Sequence, residues 1–219
     1  MMSINSKLRE NARVQLEGKW GKPILFGFLY IVITAIPSII PLVGKNHPYM
    51  SSALQIIVSI LITGSLMVGA SMFSLRFKRG EEPRVGVLLE GFKHFGPTLG
   101  LYLWYSLWVL LWTLLFLIPG IIKSISYSMC FYVMADNPKI GIKNALNISK
   151  KITKGYKGKI FVLYLSFTGW VFLTIFSLGL GFLWLTPYMQ ISCANLYDEL
   201  KNESIEQFVC TVEEYTKIS

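Results

Sequence analysis

The chain has 219 residues, of which 53% are hydrophobic, and its mean hydropathy is +0.51. This composition excludes an ordinary water-soluble globular domain, whose apolar share is typically about 45 to 50% even with glycine included. The net charge is +9, and the basic residues lie in short segments beside apolar runs. This distribution is typical of membrane proteins. Without a recognition motif it does not indicate nucleic-acid binding.

The first element is a predicted amphipathic helix at the membrane surface, covering about 3–18. At 100° per residue its apolar arc consists of Ile4, Leu8, Ala12 and Leu16. An apolar run at 24–43 follows and predicts the first span. Pro37 and Pro41 predict a kink or an end of the helix near its far end, where a break in the helix costs least.

The second predicted span, at 53–75, is rich in small residues. Ser65 and Gly69 stand four apart, a spacing that lets two helix backbones approach closely. A polar stretch then contains a second predicted amphipathic helix at 83–95. Its apolar positions, spaced i, i+3, i+4 and i+7, are Val85, Leu88, Leu89 and Phe92.

The third and fourth predicted spans, at 98–118 and 121–135, form a hairpin. Pro119-Gly120 interrupts the apolar pattern and predicts the turn between them. The third span carries a tryptophan stripe, Trp104, Trp108 and Trp112. This stripe favours packing against lipid or a neighbouring helix, and the alternative is a groove wall for an acyl chain or an apolar peptide.

The segment 138–156 predicts the most polarised amphipathic helix, with Asp136 or Asn137 as its N-cap and Pro138 as its first residue. Its apolar face consists of Ile142, Ala145, Leu146, Ile148, Ile152 and Tyr156. Its basic face, the candidate contact for lipid headgroups, consists of Lys139, Lys143, Lys150, Lys151, Lys154 and Lys157. We expect this helix in the headgroup plane, where each lysine near an anionic surface contributes about 1 kcal/mol.

The fifth and sixth spans are predicted at 160–178 and 180–196, and a polar cytoplasmic tail at 201–219 ends the chain. Of the 21 Lys and Arg residues, all but Lys45 and Lys123 fall on the same predicted side of the membrane. The positive-inside rule therefore predicts that both termini are cytoplasmic. The predicted fold is all-α, a single integral membrane domain over 1–200 with six transmembrane helices in three hairpins, each preceded by a cytoplasmic interfacial helix.

Three short collars of glycine, basic and aromatic residues recur, at 18–22, 91–96 and 155–159. Each collar follows an amphipathic segment and precedes two apolar runs. This recurrence predicts three copies of one unit, an interfacial helix plus a hairpin.

Three stretches of sequence carry a resemblance to a known family. They are Arg13, Leu16, Gly18 and Trp20; Ile118-Pro119-Gly120-Ile121-Ile122 with Tyr127-Ser128-Met129; and Ser166-Phe167-Thr168-Gly169-Trp170 followed by Trp184-Leu185-Thr186-Pro187-Tyr188. In these stretches the chain resembles, over about residues 5–200, the bacterial integral membrane family called domain of unknown function 975. The resemblance implies a multi-pass protein of the bacterial cell membrane and assigns no catalytic residue.

Chemistry-bearing residues are scarce in the apolar runs. No Asp, Glu or His lies within them, whereas proton relays and ion-coupled transporters usually place such groups there. Lys123 is expected to snorkel to the outer surface. Gln190 and Asn195 in the sixth run are expected to form interhelical hydrogen bonds, and the alternative is that they line a polar path. The sequence predicts no catalytic, metal or cofactor site.

These observations favour a non-enzymatic membrane protein that acts through lipid or protein contacts, in an immunity, envelope-stress or transporter-accessory role. Its expected partners are membrane lipids, especially anionic lipids of the inner leaflet, and a membrane protein or a second copy of the chain. The alternative is a transporter or channel for a small molecule or peptide, and an enzyme is the third class considered.

Overall fold

The computed structural model describes residues 4–44, 47–81, 83–176, 179 and 181–218. Its α-helices are α1 (Ile4–Leu16), α2 (Gly21–Ala35), α3 (Ile40–Val43), α4 (Pro48–Lys78), α5 (Val87–Glu90), α6 (Phe95–Leu115), α7 (Leu117–Tyr127), α8 (Cys130–Asp136), α9 (Ile142–Ile152), α10 (Lys157–Phe176) and α11 (Phe182–Ile218). Two 3-10 helices, Ile36–Ile39 and Gly91–His94, lie between them. The described residues contain no strand, and the predicted all-α class is confirmed.

Within the described residues, four helical stretches are long and apolar enough to cross a membrane, since a span needs about 20 apolar residues. They are Gly21–Leu42, Tyr49–Lys78, Val87–Leu115 and Leu117–Asp136. The predicted fifth and sixth spans, 160–178 and 180–196, each include residues outside the described part of the chain. Several helices of this kind indicate a membrane location.

The kink predicted in the first apolar run is present. α2 ends at Ala35, and a 3-10 helix that contains Pro37 leads into α3, which contains Pro41. Both prolines lie at the start of a new helical segment, where a missing backbone N–H removes no intrahelical hydrogen bond. The prolines therefore divide the run into three helical segments.

The small residues of α4 form the close helix contact that the sequence predicts. A Cβ atom on Gly69 would lie 2.1 Å from the backbone oxygen of Leu88, and one on Gly91 would lie 2.0 Å from that of Ser65. The hydroxyls of Ser65 and Thr98 are hydrogen-bonded at 3.0 Å. The partners of this contact are α5, the 3-10 helix Gly91–His94 and the start of α6.

The predicted amphipathic helix at 83–95 has a different form. It is divided into α5 and the 3-10 helix Gly91–His94, which lead directly into α6. Val87 and Leu88 are buried, whereas Leu89 is 55% exposed. The apolar side of this segment packs on α4 because the glycines remove the side chains that would hold the two backbones apart.

The chain reverses between α6 and α7 at Phe116, whose backbone is extended with φ −155° and ψ 137°. The turn predicted at Pro119-Gly120 is therefore wrong, because Pro119 lies in the first turn of α7. The first amides of a helix have no intrahelical acceptor, so a proline costs little there. Gly120 packs on Thr113, and a Cβ on it would lie 2.4 Å from the threonine hydroxyl.

α1 is amphipathic as predicted, but protein covers its apolar face. Leu8, Ala12 and Leu16 are each at most 2% exposed. Ala12 and Leu16 form a small cluster with Phe77 of α4 and Ile191 of α11. These two helices cover the apolar face of α1 that was predicted to rest on the bilayer surface.

Two of the three collars share a backbone feature. Gly18 and Gly155 have φ of +73° and +88°, the left-handed conformation with which a glycine often ends a helix. Gly91 in the middle collar instead lies in a 3-10 helix and packs against α4. The predicted threefold repeat therefore does not extend to the backbone of the middle collar.

Candidate functional site

The lysine-rich helix α9 is attached to the rest of the protein by its uncharged side. Its buried side chains are Ala145, Leu146, Ser149 and Ile152. The hydroxyls of Ser149 and Thr153 both donate to the backbone oxygen of Ser126 in α7, at 2.9 and 3.3 Å. α9 therefore lies against α7 and α8, and protein covers the face that was predicted to rest on lipid.

The basic face of α9 is largely exposed. The exposed lysines are Lys139, Lys143, Lys150, Lys151 and Lys154, and Lys157 at the start of α10 is half-buried. One predicted apolar position is wrong, since Ile148 is 37% exposed and Ser149 is buried in its place. The hydroxyl of Ser149 can be buried because it has a hydrogen-bond acceptor in α7.

The predicted N-cap of this helix is also wrong. α9 begins at Ile142 after Gly141, with no side-chain cap, and Pro138 precedes it in a turn. Asp136 is the last residue of α8, and its carboxylate binds Arg79 and Lys201. These charged partners occupy the oxygens that a cap would have used.

Lys123 was expected at the outer surface, away from the lysines of α9. It lies instead near other lysines. It is within electrostatic range of Lys150 in α9 and Lys157 in α10. Its ammonium lies 4.8 Å from the ring centroid of Trp112 and 6.0 Å from that of Tyr127. α7, α9 and α10 thus bring three positive charges to one region, which we call the lysine cluster.

Gln190 and Asn195 do not converge on a common path. The side-chain oxygen of Gln190 accepts a hydrogen bond from the Tyr132 hydroxyl at 3.0 Å. Asn195 pairs with Gln15 of α1 through two hydrogen bonds of 3.2 and 3.3 Å. Each amide links α11 to a different helix, which agrees with the expected interhelical use.

The tryptophan stripe lies on the surface of α6. Trp104 and Trp108 are 40% and 37% exposed, and their ring centroids are 6.4 Å apart. The third ring, Trp112, contacts the ammonium of Lys123. The surface position fits the expected packing against lipid or another helix, and one ring takes part in the lysine cluster.

A charged network that sequence reasoning missed joins the ends of α4 and α8 to α11. The Arg79 guanidinium binds Asp136 at 2.7 Å and Asp198 at 3.3 Å. Lys78 binds Asp198 at 2.5 Å, and Lys201 binds Asp136. We call these five residues the ion-pair network.

Burial and hydrogen bonding shift the pKa values of Arg79 in this network and of Tyr197 beside it. The hydrogen bond to Asp136 is the main cause that raises the pKa of the Arg79 guanidinium, while burial opposes the shift. Burial raises the pKa of Tyr197, and the nearby Asp136 carboxylate adds to that shift. The Tyr197 hydroxyl therefore keeps its proton and donates to Asp136 at 3.3 Å.

A cavity of about 390 Å³ adjoins the ion-pair network. Its charged lining residues are Arg76, Arg79, Glu81, Glu90, Lys93 and Asp136. Two of these residues, Arg76 and Glu90, bind each other at 2.8 Å. Since Arg76 and Arg79 already bind carboxylates of the protein, most of the charge that lines the cavity is paired.

The sequence contains a signal for the ion-pair network, the two carboxylates at the ends of apolar runs, but does not show their partners. Asp136 ends an apolar run and Asp198 follows another, and carboxylates at such positions can cap a helix, face water or pair with a distant cation. The two carboxylates pair with Lys78 and Arg79 because α8 and α11 pack against the end of α4.

The sequence matches the model of one protein family over two overlapping segments, residues 1–126 and 113–204. The description of that family is protein of unknown function, DUF975. No curated protein and no solved structure matches the chain significantly. Because the two segments cover most of its length, the chain belongs to the DUF975 family.

Proposed function

We propose that this protein is a non-enzymatic, multi-pass protein of the bacterial cell membrane that binds anionic lipid headgroups through the basic face of α9. The observation that carries the proposal is the division of α9 into two sides. Buried residues and two hydroxyl contacts to Ser126 hold one side, and the lysines of the other side are exposed. A fixed row of cations beside apolar helices favours contact with an anionic membrane surface.

The proposed topology has six spans, with α10 and α11 contributing to the fifth and sixth, and both termini in the cytoplasm. This orientation is supported by the charges near Lys123, which are those of Lys150 and Lys157 in the segment assigned to the cytoplasm. The positive-inside rule favours the cytoplasmic side for such basic residues.

The topology is tested by cysteine labelling in intact cells. In a variant whose native cysteines are replaced by alanine, single cysteines at Phe116 and Asn144 are treated with a membrane-impermeant thiol reagent. We expect labelling at Phe116 and none at Asn144 until the cells are permeabilised. Labelling at Asn144 alone would reverse the orientation.

The lipid contact is tested by mass spectrometry of lipids that co-purify with the full-length protein. We expect enrichment of anionic over zwitterionic lipid relative to the source membrane. The triple variant K143Q/K151Q/K154Q should lose much of that enrichment. A control with the same charge loss elsewhere, K7Q/K19Q/K93Q, should keep it, and equal losses in both variants would refute a role specific to α9.

A partner protein or a second copy of the chain could use the same face, since carboxylates bind lysines as phosphates do. Crosslinking at Asn147, which is exposed on α9, distinguishes this outcome. A single protein adduct that disappears in K143Q/K151Q/K154Q, without lipid enrichment in the wild type, would replace lipid by protein as the partner.

A transporter is the second candidate, because a cavity of about 170 Å³ lies among α4, α8, α10 and α11. Its polar lining residues are Ser71, Ser128, Tyr132, Tyr164 and Gln190. If transport were the function, Q190L at normal protein level should abolish the cellular phenotype and K143Q/K151Q/K154Q should not. Contact with anionic lipid predicts the opposite pair of results.

A further inference from the structure

The lysine cluster is an unusual arrangement for a segment that is otherwise apolar. Lys123 lies inside the candidate span Leu117–Asp136, and Lys150 and Lys157 of two other helices lie within electrostatic range of it. Like charges at such range repel one another. A bound anion would remove this repulsion.

The described protein does not supply that anion. Among the side chains that the structure describes, no carboxylate lies within salt-bridge distance of Lys123, Lys150 or Lys157. The contacts recorded for the Lys123 ammonium are the faces of Trp112 and Tyr127. Aromatic rings attract a cation but leave its three N–H donors free for an acceptor.

The cluster is held in place by the fold and does not depend on one flexible side chain. Ser149 and Thr153 fix the end of α9 to Ser126, three residues along α7 from Lys123. Trp112 belongs to α6, which packs along α7 through Gly120 and Thr113. α7 and α9, which carry Lys123 and Lys150, are therefore positioned by contacts independent of the lysines themselves, and α10, which carries Lys157, packs against α7.

We propose that the cluster of Lys123, Lys150 and Lys157 binds the phosphate of one anionic phospholipid, with Trp112 and Tyr127 beside the glycerol region. The inference rests on the proposed function and adds to it a discrete site with three named ligands. A phosphate accepts charge-assisted hydrogen bonds from several ammonium groups at once and neutralises their repulsion. Basic pockets between transmembrane helices are known to bind lipid headgroups in this way.

The test is the thermal unfolding of the detergent-solubilised full-length protein with added phosphatidylglycerol or phosphatidylcholine. We expect phosphatidylglycerol to raise the unfolding temperature more than phosphatidylcholine does. K123Q should lose most of that difference, and K123R should keep it because the charge is retained. K19Q, at an exposed lysine outside both α9 and the cluster, should also keep it.

Each other outcome overturns a distinct part of the inference. If K143Q, on the α9 face but outside the cluster, loses the difference as completely as K123Q does, the discrete site is refuted while binding by the α9 face stands. If wild-type protein does not distinguish the two lipids, the proposed function fails as well. If inorganic phosphate raises the unfolding temperature as much as phosphatidylglycerol does, the ligand is a soluble phosphate and not a lipid.

Discussion

Two helical regions, one wholly uncharged and one flanked by charges, are packed in opposite ways. At the tip, which comprises residues 110–118 of α6 and α7, Leu114 and Ile118 are 83% and 71% exposed. In the base, which comprises α8 with Lys78, Arg79, Asp198 and Lys201, each residue from Cys130 to Met134 is buried. Apolar side chains in the tip are exposed, so the tip is suited to contact with lipid. The apolar side chains of the base are packed as in a protein core.

The largest effect is expected for M134A in the base. Met134 is 0% exposed, so truncation leaves a cavity among α8 and its neighbours. We expect a loss of about 2 to 5 kcal/mol in the free energy of unfolding, measured by unfolding in mixed detergent micelles. A loss as small as that of a surface substitution would mean that the base is loosely packed.

The second effect concerns the charges of the base. D136N keeps the shape of the side chain but removes the carboxylate that binds Arg79 and Lys201. Hydrogen bonds to charged groups contribute about 1.5 to 3 kcal/mol each, and we expect a loss in that range in the same unfolding assay. E10Q, a change at an exposed carboxylate of α1, is the control and should have little effect.

The third effect concerns the contact of α4 with α5, outside both the base and the tip. A methyl group on Gly69 would collide with the backbone oxygen of Leu88, so G69A should cost about 1 to 3 kcal/mol. G96A is the matched control, because no atom lies within 4 Å of the Cβ position at Gly96. Equal stability of the two variants would contradict the close approach.

The smallest effect on unfolding is expected at the tip. L114A removes a side chain that is 83% exposed, and we expect a change within about 0.5 kcal/mol. L107K, at a 50% exposed position mid-way along α6, should fold in detergent yet insert poorly into membranes, because a lysine at the centre of a membrane helix costs up to about 3.5 kcal/mol. Normal insertion of L107K would contradict contact of the exposed α6 surface with lipid and remove the contrast with the base.

Several features followed from the sequence because they depend on composition and short-range spacing. Long apolar runs predicted helices, and the spacing of Ser65 and Gly69 predicted a close helix contact. The basic face of α9 also followed from helical periodicity, and most of its lysines are exposed. The turn at Phe116 was missed because Pro119 tolerates the first turn of a helix as readily as it breaks one.

The sequence by itself therefore determined the all-helical class, the apolar runs and the basic face, since each depends only on residues that are close together in the sequence. Only the tertiary structure decided that α1 and α9 rest on protein, that Asp136 binds Arg79 and Lys201, and that Lys123 meets Lys150 and Lys157. Periodicity shows which face of a helix is apolar but not what covers it. A charge shows no preference among distant partners until packing brings one of them within a few ångströms.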